Sequence, residues 1–147
     1  MGAKFEEGPE SLTIHPSSLH GIRIDASDCP DLVPILSVAA ALAKGTTEII
    51  HAERLRLKEC DRLKAMASEL TKMGAHIEER PDGLIIRGVP MLHGAGADSW
   101  NDHRVAMSLA IAATRSDGPV ILTGSESVQK SYPQFWQDYE SLGGKIK

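Results

Sequence analysis

Cysteine is scarce in this chain: Cys29 and Cys60 are the only two among 147 residues. They share no metal-ligand spacing, so free thiols in a reducing compartment are expected rather than a disulfide framework. Histidine is present but unclustered. His15, His20, His51, His76, His93 and His103 never stand four residues apart, and no metal site is expected. No apolar run approaches the roughly 18 residues of a membrane span. The opening Met1-Gly2-Ala3-Lys4-Phe5-Glu6-Glu7 lacks the charged-then-apolar layout of a secretion signal. A cytoplasmic protein with no membrane partner is therefore expected. Positive charge is not in excess either: 16 Lys+Arg stand against 20 Asp+Glu, so no basic field argues for a nucleic-acid partner.

What is present is an alternation of helix and strand signals over a length that suits one domain with a real core. Ile22 and Ile24 alternate with Arg23 and Asp25 as a short strand does, and Pro30 suits a first helical position. Residues 32–43 are apolar on nearly every face and stop at Gly45. Residues 46–50 are β-rich. Residues 58–73 form an amphipathic helix with Leu63, Met66, Ala67, Leu70 and Met73 on one stripe, closed by Gly74. Residues 76–79 and 84–87 flank the Pro81-Asp82-Gly83 turn as a hairpin. The order is βαβαββ.

The order then starts again. Residues 98–100 lead into a second all-round apolar helix over 102–114, followed by a strand at 120–123, an aromatic-bearing helix at 133–142 and a strand beginning at 145–147. Leu36-Ser37-Val38-Ala39-Ala40 echoes Leu109-Ala110-Ile111-Ala112-Ala113, and Lys72-Met73-Gly74-Ala75-His76-Ile77 echoes Ser141-Leu142-Gly143-Gly144-Lys145-Ile146. Two helices without a polar face belong inside, with the sheets outside. The organisation expected is α/β (α+β): a remnant unit over 1–20, with a strand at 12–14, one full βαβαββ unit over 21–88 and a second, incomplete one over 89–147. Two units and a remnant read as a fragment of a longer protein.

Two dense knots of acid and base punctuate this pattern: Leu57-Lys58-Glu59-Cys60-Asp61-Arg62-Leu63 and Trp100-Asn101-Asp102-His103-Arg104-Val105-Ala106-Met107. Each stands at an expected helix start, where unpaired N–H groups and the macrodipole favour anions. Lys58, Arg62 and Arg104 there suit a ligand with several negative charges, and Glu59 beside them suggests proton handling. Read singly, each knot is also an ordinary capped and solvated helix start.

Taken together, the knots resemble the carboxy-terminal domain of 5-enolpyruvylshikimate-3-phosphate synthase (3-phosphoshikimate 1-carboxyvinyltransferase). That family carries Arg-x-Lys-Glu-[Ser/Thr]-Asp-Arg and Asn-Asp-His-Arg-x-Ala-Met in this order, as Arg56 to Arg62 and Asn101 to Met107 do here. Two further features match: Asp28-Cys29-Pro30-Asp31 with Ala43-Lys44-Gly45-Thr46-Thr47, and Lys130-Ser131-Tyr132-Pro133-Gln134-Phe135. Cys60 departs from the usual Ser or Thr. The resemblance covers nearly the whole chain and implies an inside-out barrel of βαβαββ units, here incomplete, in an enzyme without cofactor or metal.

It also implies the reaction: the 5-hydroxyl of shikimate 3-phosphate adds to C2 of phosphoenolpyruvate, and phosphate leaves the tetrahedral intermediate. By motif position Asp31 is the hydroxyl's partner and base, and Glu59 the acid and base at the methylene carbon. Arg62 and Arg104 clamp phosphoenolpyruvate with their planar forks. Lys130 adds charge at the departing phosphate, Lys58 lies near both substrates, and His103 orients or relays protons to Glu59. Asp31 as a first-turn carboxylate and Lys130 as a solvated lysine remain alternatives on the residues alone. The implied partner is the family's amino-terminal domain, without which the chain is expected to be inactive. The rival readings are a UDP-N-acetylglucosamine enolpyruvyl transferase domain, which lacks the paired knots, and a non-catalytic anion-binding or docking domain.

Overall fold

The computed structural model describes residues 1–147. The chain opens with a hairpin, β1 (Lys4–Glu7) antiparallel to β2 (Leu12–His15). β3 (Arg23–Asp25) then runs parallel to β4 (Thr46–Ile50), with helix α1 (Val33–Ala41) as the crossover between them. Helix α2 (Arg62–Lys72) leads to the hairpin β5 (His76–Arg80) and β6 (Gly83–Arg87), and β6 pairs antiparallel with β4. The four strands form one sheet in the order β3-β4-β6-β5. The motif recurs as β7 (Gly96–Asp98), α3 (His103–Ala113) and a parallel β8 (Ile121–Thr123), followed by α4 (Phe135–Ser141).

The sheet obeys the two-residue period of a half-buried surface. Thr47 and Ile49 of β4 and Leu84 and Ile86 of β6 are buried, while Glu48, Ile85 and Arg87 stand on the other face. The inward set meets Leu63, Met66, Leu70 and Met73, all fully buried. Each such side chain contributes about 1.5–3 kcal/mol relative to exposure. Gly74 ends α2 at φ +87, and a Cβ there would come within 2.6 Å of the His93 ring. Only glycine suits that turn. The helices α1, α2 and α3 pack on one another between the four-stranded sheet and the β7–β8 ribbon. A second small cluster of Ala106, Ala110, Val128 and Phe135 seats α4 against the far side of α3.

This is the mixed α/β arrangement with helices within and sheets without, and its sheets do not close into a barrel. Three details differ from the sequence reading. Residues 58–60 are not helical: Lys58 is extended, at φ −86 and ψ −160, and α2 begins only after Asp61, whose carboxylate accepts the Lys64 N–H at 3.0 Å. A capping aspartate outranks the preceding Lys-Glu in setting the start. Residues 145–147 have no partner strand and stay irregular. The apolar helices α1 and α3 are not wholly interior either. Asp31, Leu32, Ile35, Arg104, Met107 and Ile111 line an open trough of about 230 Å³ between them.

Candidate functional site

Loops at the starts of three helices bring the charged residues together. The 3₁₀ turn Pro30–Leu32 delivers Asp31 at the head of α1. The 3₁₀ turn Glu53–Leu57 ends at Lys58, and residues 58–61 then bend into α2. Arg56 pins that bend to the β5–β6 hairpin. Its guanidinium donates to the carbonyls of Pro81 (2.8 Å) and Arg80 (2.6 Å) and to the carboxylates of Asp61 (2.7 Å) and Glu79 (2.8 Å). Residues 98–102 turn into α3, and the 3₁₀ turn Ser125–Lys130 brings Lys130 alongside them.

Arg62, 1 % exposed, is the hub. Its Nε donates to Asp102 at 2.8 Å, one Nη to Asp31 at 2.9 Å and the other to Glu59. Asp31 in turn gathers further cations. Arg104 donates to its carboxylate at 3.2 Å and to its backbone carbonyl at 3.3 Å, and the Lys58 ammonium lies 3.5 Å away. Asp102, fully buried, caps α3 through the N–H groups of Arg104 (2.8 Å) and Val105 (3.3 Å). One carboxylate thus serves a helix start and a buried guanidinium at once.

The electrostatics follow from this crowding. Burial pushes the Asp31 and Asp102 carboxyls up, but opposing cations and hydrogen bonds outweigh it and hold both below the usual carboxylate range. For Asp31 the opposing charges are Arg104, Lys58 and Arg62; for Asp102 they are Arg62 and the two capped N–H groups. Both are therefore ionised acceptors near neutral pH. The Cys60 thiol is pushed up to about 12 by burial and by Asp102, toward which it points at 3.7 Å. It stays a neutral thiol and not a nucleophile. His103 is 8 % exposed, and its Nδ1 has no partner.

Asp31, Lys58, Glu59, Arg62 and Arg104 thus form one connected cluster, with Asp102 behind it. Lys130 joins less directly: its ammonium donates to the Asn101 carbonyl oxygen, in the loop that leads to Asp102. No hydrogen bond links His103 to Glu59, whose carboxylate is held by Arg62 instead. Two residues escaped the sequence reading. Arg56 stands immediately before the first knot, yet its clamp on a distant hairpin turn carries no sequence signal. Glu69 is charged and 1 % exposed, although its place on an amphipathic helix reads as solvent-facing.

The cluster can bind an anion with several oxygens and holds a half-exposed carboxylate, Glu59, within the same cage. The family model described as EPSP synthase (3-phosphoshikimate 1-carboxyvinyltransferase) matches residues 1–139. The chain belongs to the EPSP synthase family. It is 58 % identical over 146 residues to the 3-phosphoshikimate 1-carboxyvinyltransferase of Clostridium novyi, covering 99 % of this chain and 34 % of that protein. The corresponding protein of Clostridium acetobutylicum gives the same figures: 58 % over 146 residues, 99 % and 34 %. The solved EPSP synthase of Acinetobacter baumannii superposes with a TM-score of 0.82 at 31 % identity, covering all of this chain and 36 % of that one. The chain spans about a third of the length of the family members it matches. No helix is long and apolar enough to cross a membrane.

Proposed function

We propose that this chain supplies the phosphoenolpyruvate side of an enolpyruvyl transferase that moves the carboxyvinyl group of phosphoenolpyruvate to the 5-hydroxyl of shikimate 3-phosphate. The observation that carries the reading is the convergence of Lys58, Arg62 and Arg104 on one carboxylate, with Glu59 bonded to the same guanidinium. Such a cage suits a small polyanion, and a half-exposed carboxylate beside it is placed to exchange a proton with a bound ligand.

In this reading Asp31 accepts the hydroxyl proton while the oxygen attacks C2, and Glu59 delivers a proton to the methylene carbon. The tetrahedral intermediate then expels phosphate, stabilised by Lys130 and Arg104, and Glu59 takes a proton back from the methyl group to restore the double bond. Arg62 fixes Glu59 and Asp31 relative to each other, and Lys58 offsets charge between the two substrates. His103 orients its neighbours at the head of α3. Shikimate 3-phosphate needs a second wall to close over it and exclude water. The amino-terminal domain of the family is the partner proposed for that role, and the chain alone is expected to show no transfer.

The test uses the complete reading frame that contains these residues. Glu59→Gln should lower turnover by about 10²–10⁴-fold with a small change in phosphoenolpyruvate KM, because a positioned acid or base acts mainly on rate. Arg104→Ala should raise that KM as well. Near-normal turnover in Glu59→Gln would remove Glu59 from the mechanism.

A further inference from the structure

Glu69 has no part in the reaction just described, yet it is a charged side chain with 1 % exposure. A carboxylate is costly to bury unless its oxygens are fully engaged. Its ion partner, Lys72, donates to both oxygens at 2.8 and 2.7 Å, but that side chain is 47 % exposed and could meet a carboxylate equally well at the surface. The other partners are what place Glu69 inside. Oε2 accepts the backbone N–H of Asp98 at 2.9 Å, and Oε1 accepts the Trp100 indole N–H at 2.9 Å.

Those donors belong to the turn that runs from Asp98, the last residue of β7, to Asp102, the cap of α3, and the turn is strained. Trp100 and Asn101 both have φ 53, two successive side-chain-bearing residues in the left-handed region. A pair like this persists only where its surroundings over-determine it. The grip of Glu69 on Asp98 and Trp100 does so from one side. From the other, Asp98 accepts the Trp100 N–H, Ser99 accepts the Asn101 N–H at 3.2 Å, and Thr123 donates to Asp98 at 2.8 Å. The same helix holds the far end of the loop as well, because Arg62 of α2 bonds Asp102. Between the two grips lies the Asn101 carbonyl, which takes the Lys130 ammonium, and directly after them stand His103 and Arg104.

We propose that Glu69 is a positioning residue for the anion site: by gripping Asp98 and Trp100 it fixes the left-handed Trp100-Asn101 pair and so aims Lys130 and Arg104 at a shared ligand. The proposal rests on the anion-binding reading of the cluster, and deepens it by making the last turn of α2 part of the site's geometry. Asp98 N–H and the indole N–H require two acceptor oxygens on one side chain. Glutamate offers them; glutamine offers one and turns its own donor toward the other.

In the complete reading frame, Glu69→Gln, Trp100→Phe, their double variant and Lys72→Met are compared by thermal midpoint, by calorimetric binding of inorganic phosphate, and by kcat and KM with phosphoenolpyruvate and shikimate 3-phosphate. Glu69→Gln and Trp100→Phe should each weaken phosphate binding and raise the phosphoenolpyruvate KM about tenfold. The double variant should be little worse than either, as expected of groups acting through one contact. Lys72→Met should lower the thermal midpoint while phosphate affinity stays within about twofold of the parent. A Glu69→Gln protein that loses stability but keeps parental phosphate affinity overturns the proposal, as does a parent that binds no phosphate. Where Glu69→Gln fails to fold, Trp100→Phe decides by the same criterion. Phosphate affinity that falls in the variants of a parent without transferase activity keeps the positioning role and overturns the proposed reaction instead.

Discussion

Arg62 donates to Asp31, Glu59 and Asp102, so each nitrogen of the residue assigned as a clamp on phosphoenolpyruvate already bonds a carboxylate of the chain itself, and only the second N–H of each Nη is left for a ligand. Asp31 is a carboxylate that an incoming anion would have to face, as its side chain is 44 % exposed. Its carboxylate stands among Arg104, Lys58 and Arg62, where ligand oxygens would otherwise sit. Neutralising it should therefore strengthen anion binding: Asp31→Asn is expected to bind inorganic phosphate about tenfold more tightly, since like charges a few ångströms apart repel by several kcal/mol near a protein surface. Weaker binding by calorimetry would show that Asp31 arranges the cations rather than competing for them. Much of this cluster was legible in the chain, because Lys58, Arg62 and Arg104 stand in short motifs beside helix starts. Glu69 was not, because buried grips on a loop some thirty positions away leave no periodic trace, and the residue occupies a polar slot of an amphipathic pattern.

Helices α2 and α3 are tied through one buried pair, Arg62 and Asp102, which also caps α3. Removing the carboxylate leaves a guanidinium buried beside unpaired N–H groups. Asp102→Ala is therefore expected to destabilise the fold by roughly 3–5 kcal/mol in denaturant titrations, and by more than Asp61→Ala, whose part-exposed carboxylate caps α2 and takes one bond from Arg56. The folded-state pKa of Asp102 is depressed, so its contribution is present above the unfolded value of about 3.9 and is lost as pH falls through the lower folded value. The gap between parent and Asp102→Ala should accordingly narrow below about pH 4; a gap constant down to pH 2 would contradict the pairing. Element identities were readable from period and punctuation: Thr46–Ile50 has the bounds expected from its β-branched run, and the β5–β6 turn falls at Pro81 and Asp82. The start of α2 was misplaced because lysine and glutamate are both good helix formers, and only the cap bond of Asp61 reveals where the helix begins. The strand expected at 145–147 failed for want of a neighbour, as strand pattern alone carries no ladder.

Across the whole molecule, equivalent parts are unequally supported. Leu84 and Ile86 of β6 are fully buried under α2, whereas Leu12 and Ile14 of the opening hairpin are 57 % and 71 % exposed. A hairpin without a covered face is marginal. Backbone amides of β1 and β2 should therefore exchange with solvent orders of magnitude faster than those of β5 and β6 in a mass-resolved hydrogen-exchange experiment. Equal protection would mean that the hairpin's face is covered in solution. The equivalence runs deeper than the helices suggest. Leu19-His20-Gly21 and Leu92-His93-Gly94 precede β3 and β7, and each of those strands lies parallel to the one that follows its helix. Two ribbons with one blueprint are rivals during refolding, since β7 can enter the slot beside β4 and β3 the slot beside β8, within one molecule or between two. Crossed pairings of this kind satisfy the same backbone groups and differ from the native ones only in side-chain fit. Concentrated refolding of this chain should for that reason leak into interlocked dimers, the characteristic hazard of a polypeptide that contains its own near-copy.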